Sequence, residues 1–407
     1  MTEYKNFSNQ GGLSESELEH WLIKTRREFH QHPELGFQEV WTTTRIAKIL
    51  SDLKIEVQLF DDMTGVVGLL RFSDAPGPCI GLRADIDALP IEELNNVSYK
   101  SIKPGCMHAC GHDAHTTIML GVAKQLVEFY TGKDSSQNLV NNLKGSVKFL
   151  FQPAEENGPG SQPMIDRGVL NDPEVDTILA CHVTTSVPVG KVESRRTGVC
   201  ASADSFEITI TGTGGHAAAP HRTRDPIIAG ANLVNALQTI VSRNVDPMEP
   251  AVISIASFQA GTAVNIIPER AVLKGTIRAM SPEVRELLHK RIKSLTTEIC
   301  KSLQVKADVR IVKGYPPTIN DPKIAEFLHQ AAVETLGQEN VKWAAKPSVV
   351  AEDFSFFAMA KPSALMWLGA GSKNHLAFMH ASDFDIDENA LLIGVNIITR
   401  AVKQFLM

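Results

Sequence analysis

PGCMHACGHDAHTTIMLGVAKQLVEFY, residues 104–130, sets two cysteines, three histidines and an aspartate ahead of a long apolar-periodic run. The run from Asp113 reads as a helix opened by that aspartate, and the residues before it read as a tight strand-to-helix loop. Strand-like runs stand on both sides: VVGLL (66–70) and CIGLRADID (79–87) before, SVKFLFQ (146–152) and DTILACHV (176–183) after. Strands alternating with helices predict an α/β sheet with helices on both faces. Further upstream, Leu18, Trp21, Leu22 and Phe29 fall at helical spacing. HPELG (32–36) then breaks the chain with Pro and Gly, and a second helix is expected over 38–53.

Near residue 200 the texture changes. DSFEITITG (204–212) alternates apolar and polar residues, a helix follows at 224–243, then strands 251–259 and 271–279, a charged helix 282–302 and a strand 305–312. This order predicts a ferredoxin-like α+β unit with one sheet face open. The α/β texture returns after 315, with a helix at 322–335, a strand near 363–369 and a last helix at 388–405. The expected division is therefore a catalytic domain in two parts, 1–198 and 315–407, with an inserted domain at 199–314. No internal repeat is visible, and the polar stretch 131–144 reads as a surface loop.

Composition narrows the function. A chain of 407 residues exceeds the size of one hydrophobic core, so two domains are the prior. Hydrophobic residues at 43% and charged residues at 21% are ordinary for a globular chain, and the net charge of −6 argues against nucleic-acid binding. The N-terminal stretch lacks a basic and apolar leader, and no apolar run is long enough to span a membrane. The cysteines Cys79, Cys106, Cys110, Cys181, Cys200 and Cys300 are scattered, unlike a disulfide framework. A cytoplasmic protein with free thiols is the expectation.

The chemistry concentrates at Cys110 and His112, whose thiolate and imidazole suit zinc and similar ions. FQPAEE (151–156) places Glu155 and Glu156 at the end of a buried strand, where open α/β sheets place their sites. One carboxylate can hold a metal while the other moves protons. His182 is expected at a strand end, and His380 lies between a strand and the last helix. Together Cys110, His112, Glu156, His182 and His380 are too many ligands for one open tetrahedral site and suit two metals. In the inserted domain, His216 sits in the Gly-rich loop GTGGHAAAPH, read either as a carbonyl polariser or as a helix cap. Asn265 and Arg278 supply donors, Arg278 with a fork suited to a carboxylate, though a lone strand-end Arg is ordinarily a surface charge.

The motifs HQHPELGFQE (30–39), GLRADIDALPI (81–91), MHACGHDAH (107–115), FQPAEE, GGHAAAPH (214–221), AVNIIPE (263–269), GTIRA (275–279), AEDFSFF (351–357) and FDIDE (384–388) occur in order along nearly the whole chain. The set resembles the amidohydrolase branch of the aminoacylase, hippurate hydrolase and carboxypeptidase G metallopeptidases, which includes auxin-conjugate hydrolases and N-acetyl amino acid deacetylases. The resemblance implies a dinuclear-zinc-peptidase-like α/β catalytic domain with an inserted ferredoxin-like dimerisation or lid domain. It implies two divalent ions per subunit, zinc or manganese with cobalt or nickel as alternatives, held by Cys110, His112, Glu156, His182 and His380. It makes Glu155 the general base, brings His216, Asn265 and Arg278 to the substrate, with His216 supplied across a homodimer, and gives Asp85 and Asp87 the task of orienting ligands.

The chain departs from that pattern at Thr184 and Thr185, where Trp-Pro is common, at Ala381–Phe384, at Cys106, and in the helix entry with Arg222 and Arg224. None of these removes a ligand or Glu155. The resulting expectation is an amidohydrolase that cuts N-acyl amino acids. The rivals are a dipeptidase, aryl-amide hydrolase or carboxypeptidase on the same scaffold, a non-catalytic metal-binding homologue, and a cysteine hydrolase built on Cys110.

Overall fold

In the computed structural model the described residues are 14–72, 77–131, 143–372 and 377–407. Most of the surface loop expected at 131–144, and the N-terminal stretch before Ser14, lie outside them. The chain divides into two compact units: Met1–Thr197 with Asn320–Ala345 and Phe357–Met407, and Gly198–Ile319 with Lys346–Phe356.

The larger unit opens with helix α1 (Glu15–Gln31), begun by a reciprocal cap in which the Ser14 side chain accepts the Glu17 N–H and Glu17 reaches back to Ser14. Its face of Leu18, Leu22 and Phe29 is buried in the core. Helix α2 (Val40–Asp52) takes its capping acceptor from the preceding turn. The Glu34 carboxylate receives the N–H groups of Trp41, at 3.2 Å, and Thr42, at 2.9 Å. The strands β1 (Glu56–Gln58), β2 (Val66–Arg71), β3 (Cys79–Asp85), β4 (Ser146–Gln152), β5 (Thr177–Pro188) and β6 (Val192–Ser194) join one eight-stranded sheet with β15 (Val341–Trp343) and β16 (Ser363–Gly371). The order is β1-β2-β4-β3-β5-β16-β6-β15. The four central strands β4, β3, β5 and β16 run parallel, so their C-terminal ends share one edge. Every residue of β3, β4 and β16 is buried, as expected for strands covered on both faces.

Helix α3 (His112–Thr131) begins one residue earlier than the sequence pattern suggests, so His112 is its first residue. It packs against α1 and the C-terminal helix Asn389–Leu406. Strand β5 runs on to Pro188, so His182 lies within the strand and not at its end. Thr184 pairs with Gly369 of β16, and after a register shift Gly371 pairs with Pro188, which keeps the strand extended past the histidine.

The smaller unit carries β7 (Gly198–Cys200), paired with β14 (Thr318–Ile319), then β8 (Asp204–Thr211), a helix Pro226–Asn244, β10 (Ala251–Ala260), β12 (Arg270–Ala279), a helix Pro282–Ser302 and β13 (Lys306–Val312). The strand order β10-β12-β8-β13, antiparallel throughout, is the ferredoxin-like arrangement. Asp225 and Ser281 cap the two helices, each followed by Pro at the first helical position. Leu233, Leu237, Leu288 and Ile292 from the helices meet Phe206, Ile208 and Ile277 from the sheet in a second core. Along β13 residues alternate between exposed and half-buried. The Gly-rich loop does not cap a helix directly: Gly215–His216 forms strand β9, paired with β11 (Ile266–Ile267), and a short 3-10 turn follows at Pro220–Arg222.

All six cysteines are free and buried. Among the described residues no helix is long and apolar enough to cross a membrane.

Phe149 lies in mid-β4, fully buried in the larger core. Phe149→Ala is expected to cost about 3–5 kcal/mol, read as a lowered midpoint of denaturant unfolding.

Candidate metal centre

The parallel strands deliver the site. Asp85 ends β3, FQPAEE leaves β4, and His182 stands on β5 beside them. Gly111 turns the chain into α3 at φ 87°, and a Cβ there would run into Val183, so glycine alone fits between the two candidate ligands Cys110 and His112. His380 takes a left-handed conformation, φ 67°, and its backbone N–H donates 2.7 Å to the Ala109 carbonyl, next to Cys110. Ala154, just before the glutamate pair, is also left-handed, at φ 51°. Such backbone strain concentrates where the surroundings over-determine a functional geometry.

The five expected ligands come together as two groups that share Cys110. Ligand atoms of Cys110, His112 and His182 lie within 4.8 Å of one another, as do those of Cys110, Glu156 and His380. Glu155 joins His112 and Glu156 in a third such group.

Hydrogen bonds behind the rings decide which nitrogen each presents. His112 Nδ1 lies 2.9 Å from the Asp87 carbonyl and 3.1 Å from its carboxylate, so Nδ1 carries the proton. Its Nε2 is buried without a hydrogen-bond partner. His182 Nδ1 donates 2.7 Å to the Val183 carbonyl, and its Nε2 lone pair faces the Cys110 sulfur at 3.6 Å. The other Asp87 oxygen accepts the Glu156 N–H at 2.9 Å. Imidazole nitrogens, a thiol and carboxylates in overlapping groups fit divalent cations of the zinc type.

Without an ion, the electrostatics keep protons on Cys110 and His112, and a bound cation would displace them. Burial first, then Glu156, holds the Cys110 thiol well above its ordinary value, so the sulfur is no activated nucleophile and needs an adjacent cation to ionise. Burial opposes charge on His112, but Asp85 and Cys110 outweigh it and raise its pKa well above the usual range. Burial and then His115 depress His182.

His115 was not singled out from sequence, although it sits one helical turn after His112. Its Nε2 accepts the Val183 N–H at 2.9 Å, which puts the proton on Nδ1, 2.6 Å from Asp85. Asp85 also receives Arg83 Nη1 at 2.7 Å. Asp85 and His115 together thus brace the backbone beside His182. Thr185, one of the departures from the resembled pattern, donates 2.7 Å to the Ala377 carbonyl, just ahead of His380.

The smaller unit holds the other candidates. His216 and Asn265 are neighbours across the β9–β11 ladder, where the Ala217 N–H donates 3.0 Å to the Asn265 carbonyl. His216 Nδ1 accepts the Ala218 N–H at 3.0 Å, leaving Nε2–H as the free donor on an exposed side chain. Arg278 stands on β12, where its guanidinium bonds Thr276 and the Ile277 carbonyl.

A buried cluster of thiol, imidazole and carboxylate beside the parallel strands of an α/β sheet, in a chain with an inserted ferredoxin-like unit, defines a metallohydrolase. Residues 81–404 match the model of peptidase family M20/M25/M40, and the chain belongs to that family. It is 37% identical to the thermostable carboxypeptidase 2 of Saccharolobus solfataricus, over 93% of each chain. It is 37% identical to the N-acetyl-L-cysteine deacetylase of Bacillus subtilis, over 99% of this chain and 92% of that one. Among solved structures, it is similar to a dinuclear metal binding peptidase of the same family from Bacillus subtilis, with a TM-score of 0.82, 32% identity and coverage of 96% and 99%.

Behind the site Glu39 is fully buried, accepting the Ala154 N–H at 2.8 Å and the Thr64 hydroxyl at 2.5 Å. Burial, reinforced by Asp87, pushes its pKa up to about 7 against those hydrogen bonds. The folded state therefore binds this proton more tightly than the unfolded chain. Glu39's contribution to stability is full below the unfolded carboxylate pKa and is lost as pH rises through about 7. Thermal unfolding of wild type and Glu39→Gln between about pH 5 and pH 8 should diverge, the wild type losing more stability as pH rises. Parallel curves would show that Glu39 does not titrate in this window.

Proposed function

We propose that this chain is a two-metal amidohydrolase that cleaves N-acyl amino acids to a carboxylic acid and a free amino acid. The observation that carries the reading is the pair of ligand groups sharing Cys110, in a family whose members include the N-acetyl-L-cysteine deacetylase. Cys110, His112, Glu156, His182 and His380 hold two divalent ions, zinc or manganese, with cobalt or nickel as substitutes. When bound, the ions polarise the amide carbonyl and acidify the attacking water. Glu155 accepts the water's proton and returns it to the leaving nitrogen. Asp87 and Asp85 hold the ligand set from behind, Asp87 directly through His112 and the Glu156 N–H. Arg278 receives the amino acid carboxylate as a forked donor, and Asn265 and His216 donate to the substrate. The free Nε2–H of His216 and its exposure support that role. The compartment assigned is the cytoplasm, with no nucleic-acid or membrane partner.

Substrate choice is tested by assaying the metal-replete protein on N-acetyl-, benzoyl- and indoleacetyl-amino acids beside dipeptides and carboxypeptidase substrates. Preferential turnover of peptides would favour the carboxypeptidase reading that the Saccharolobus relative represents. Dialysis against a strong chelator is expected to abolish hydrolysis, and zinc, manganese or cobalt to restore it. Activity surviving in metal-free protein would point instead to thiol chemistry. Glu155→Gln should keep its metal and lose about 100- to 10,000-fold in rate, whereas Glu156→Gln should lose metal as well. A Glu155→Gln enzyme with near-normal turnover shows that the two carboxylates have been assigned the wrong way round.

The ferredoxin-like unit is assigned to dimerisation, through the sheet edge and face that its two helices leave uncovered. His216 then serves the partner's site. His216→Ala should lower the rate about 100- to 1,000-fold, as loss of an oxyanion donor does, with metal retained. Mixing inactive His216→Ala with inactive Glu155→Gln subunits should restore part of the activity. Demonstrated subunit exchange without recovery excludes action in trans.

A further inference from the structure

Helix α1 carries no candidate ligand, yet it buries a charge beneath the site. Arg26 is fully buried, with Nε 2.8 Å from Asp113 Oδ2, Nη2 2.9 Å from Asp385 Oδ1 and Nη1 3.5 Å from Glu388. One helical turn on, His30 bridges two carboxylates, Nδ1 at 2.7 Å from Asp113 and Nε2 at 3.2 Å from Glu93. Burial and the Arg26 guanidinium, 3.3 Å away, oppose charge on the ring, but Asp113 and Glu93 outweigh them and raise its pKa. The carboxylates are held from other sides too. Asp113 Oδ1 accepts the Ala114 N–H at 2.9 Å, and Asp385 accepts the Tyr99 hydroxyl at 2.7 Å and the Ile386 N–H at 2.9 Å. Glu93 closes on the Ser101 N–H at 2.7 Å, and Asn95 and Leu94 each bond the 382–384 backbone at 2.8 Å.

A buried ion network is poor evidence for stability, since apolar side chains of similar volume usually serve as well. Leu22 and Phe29 already anchor α1 in that way. What a guanidinium adds is a rigid planar fork that fixes two carboxylates relative to each other. The two it grips belong to segments that carry candidate ligands: Asp113 adjoins His112 in the first turn of α3, and Asp385 follows His380 by one short turn.

We propose that Arg26 is a positioning residue that locks the His112 and His380 segments in mutual register for metal binding. The proposal rests on the ligand assignment above. It is tested on the full-length protein by measuring Zn²⁺ affinity through competition with a chromogenic chelator, beside thermal unfolding of the metal-free form. Arg26→Lys keeps the charge and loses the fork. Asp385→Asn keeps the shape at a partly exposed position and is the deciding variant if Arg26→Lys does not fold. Each folded variant is expected to bind Zn²⁺ about 10- to 100-fold more weakly, the usual effect of removing a group that orients ligands. A purely structural role would lower the unfolding temperature and leave Zn²⁺ affinity within about twofold of wild type, and that result overturns the proposal. His380→Ala is the control. If it binds Zn²⁺ as wild type does, the ligand assignment itself falls, and the Arg26 proposal with it. If it loses Zn²⁺ while the folded Arg26→Lys and Asp385→Asn proteins do not, only the Arg26 proposal fails.

Discussion

Two imidazole rings, His112 and His182, each spend one nitrogen on an acceptor behind them; His182 turns its other nitrogen to the Cys110 sulfur, and His112 lies in the same ligand group. Everything else near the site serves that constraint. A buried polar nitrogen is costly unless something meets it, so the protein must fix both rings and bring the 110–112 loop and β5 together. Parallel pairing of β3, β4, β5 and β16 does the coarse work by bringing those segments to one sheet edge. Fine placement falls to buried acids: Asp87 spans His112 and the Glu156 N–H, and Asp85 reaches the backbone beside His182 through His115.

The N-terminal motif HQHPELGFQE acquires a physical meaning on this view, although it supplies no ligand. His30 meets Asp113, Glu34 caps α2, Gly36 leaves room for Ala154, which a Cβ there would approach to 3.0 Å, and Glu39 bonds the Ala154 N–H. The His30, Gly36 and Glu39 contacts land on segments that carry or adjoin candidate ligands. The left-handed Ala154 is held from two sides, and the glutamate pair leaves it in a set direction.

Much of this was legible in the residues. Periodicity located nearly every long helix and strand, because buried strands here are continuous apolar runs and the helices carry clear caps at Ser14, Asp225, Ser281 and Asp321. The ligand types stood out because thiol, imidazole and paired carboxylates rarely cluster in so few positions. Less legible was anything set by tertiary pairing. Strand β5 continues past His182 because β16 lies beside it, which its own sequence does not announce. The short β9–β11 ladder joins residues some fifty positions apart. His115 and Arg26 escaped notice for a related reason: each is an ordinary helical residue until the carboxylate it meets is known.

Four of the buried thiols, outside the candidate ligand set, have a use unrelated to catalysis. Cys79 and Cys181 sit inside the larger unit, and Cys200 and Cys300 inside the smaller, none bonded to another and none open to solvent. A thiol-specific alkylating reagent reaches them only when the surrounding packing opens. Labelling followed peptide by peptide would therefore time the breathing of each unit separately. The chain carries its own pair of internal clocks for asking whether the two units unfold as one cooperative body or in turn.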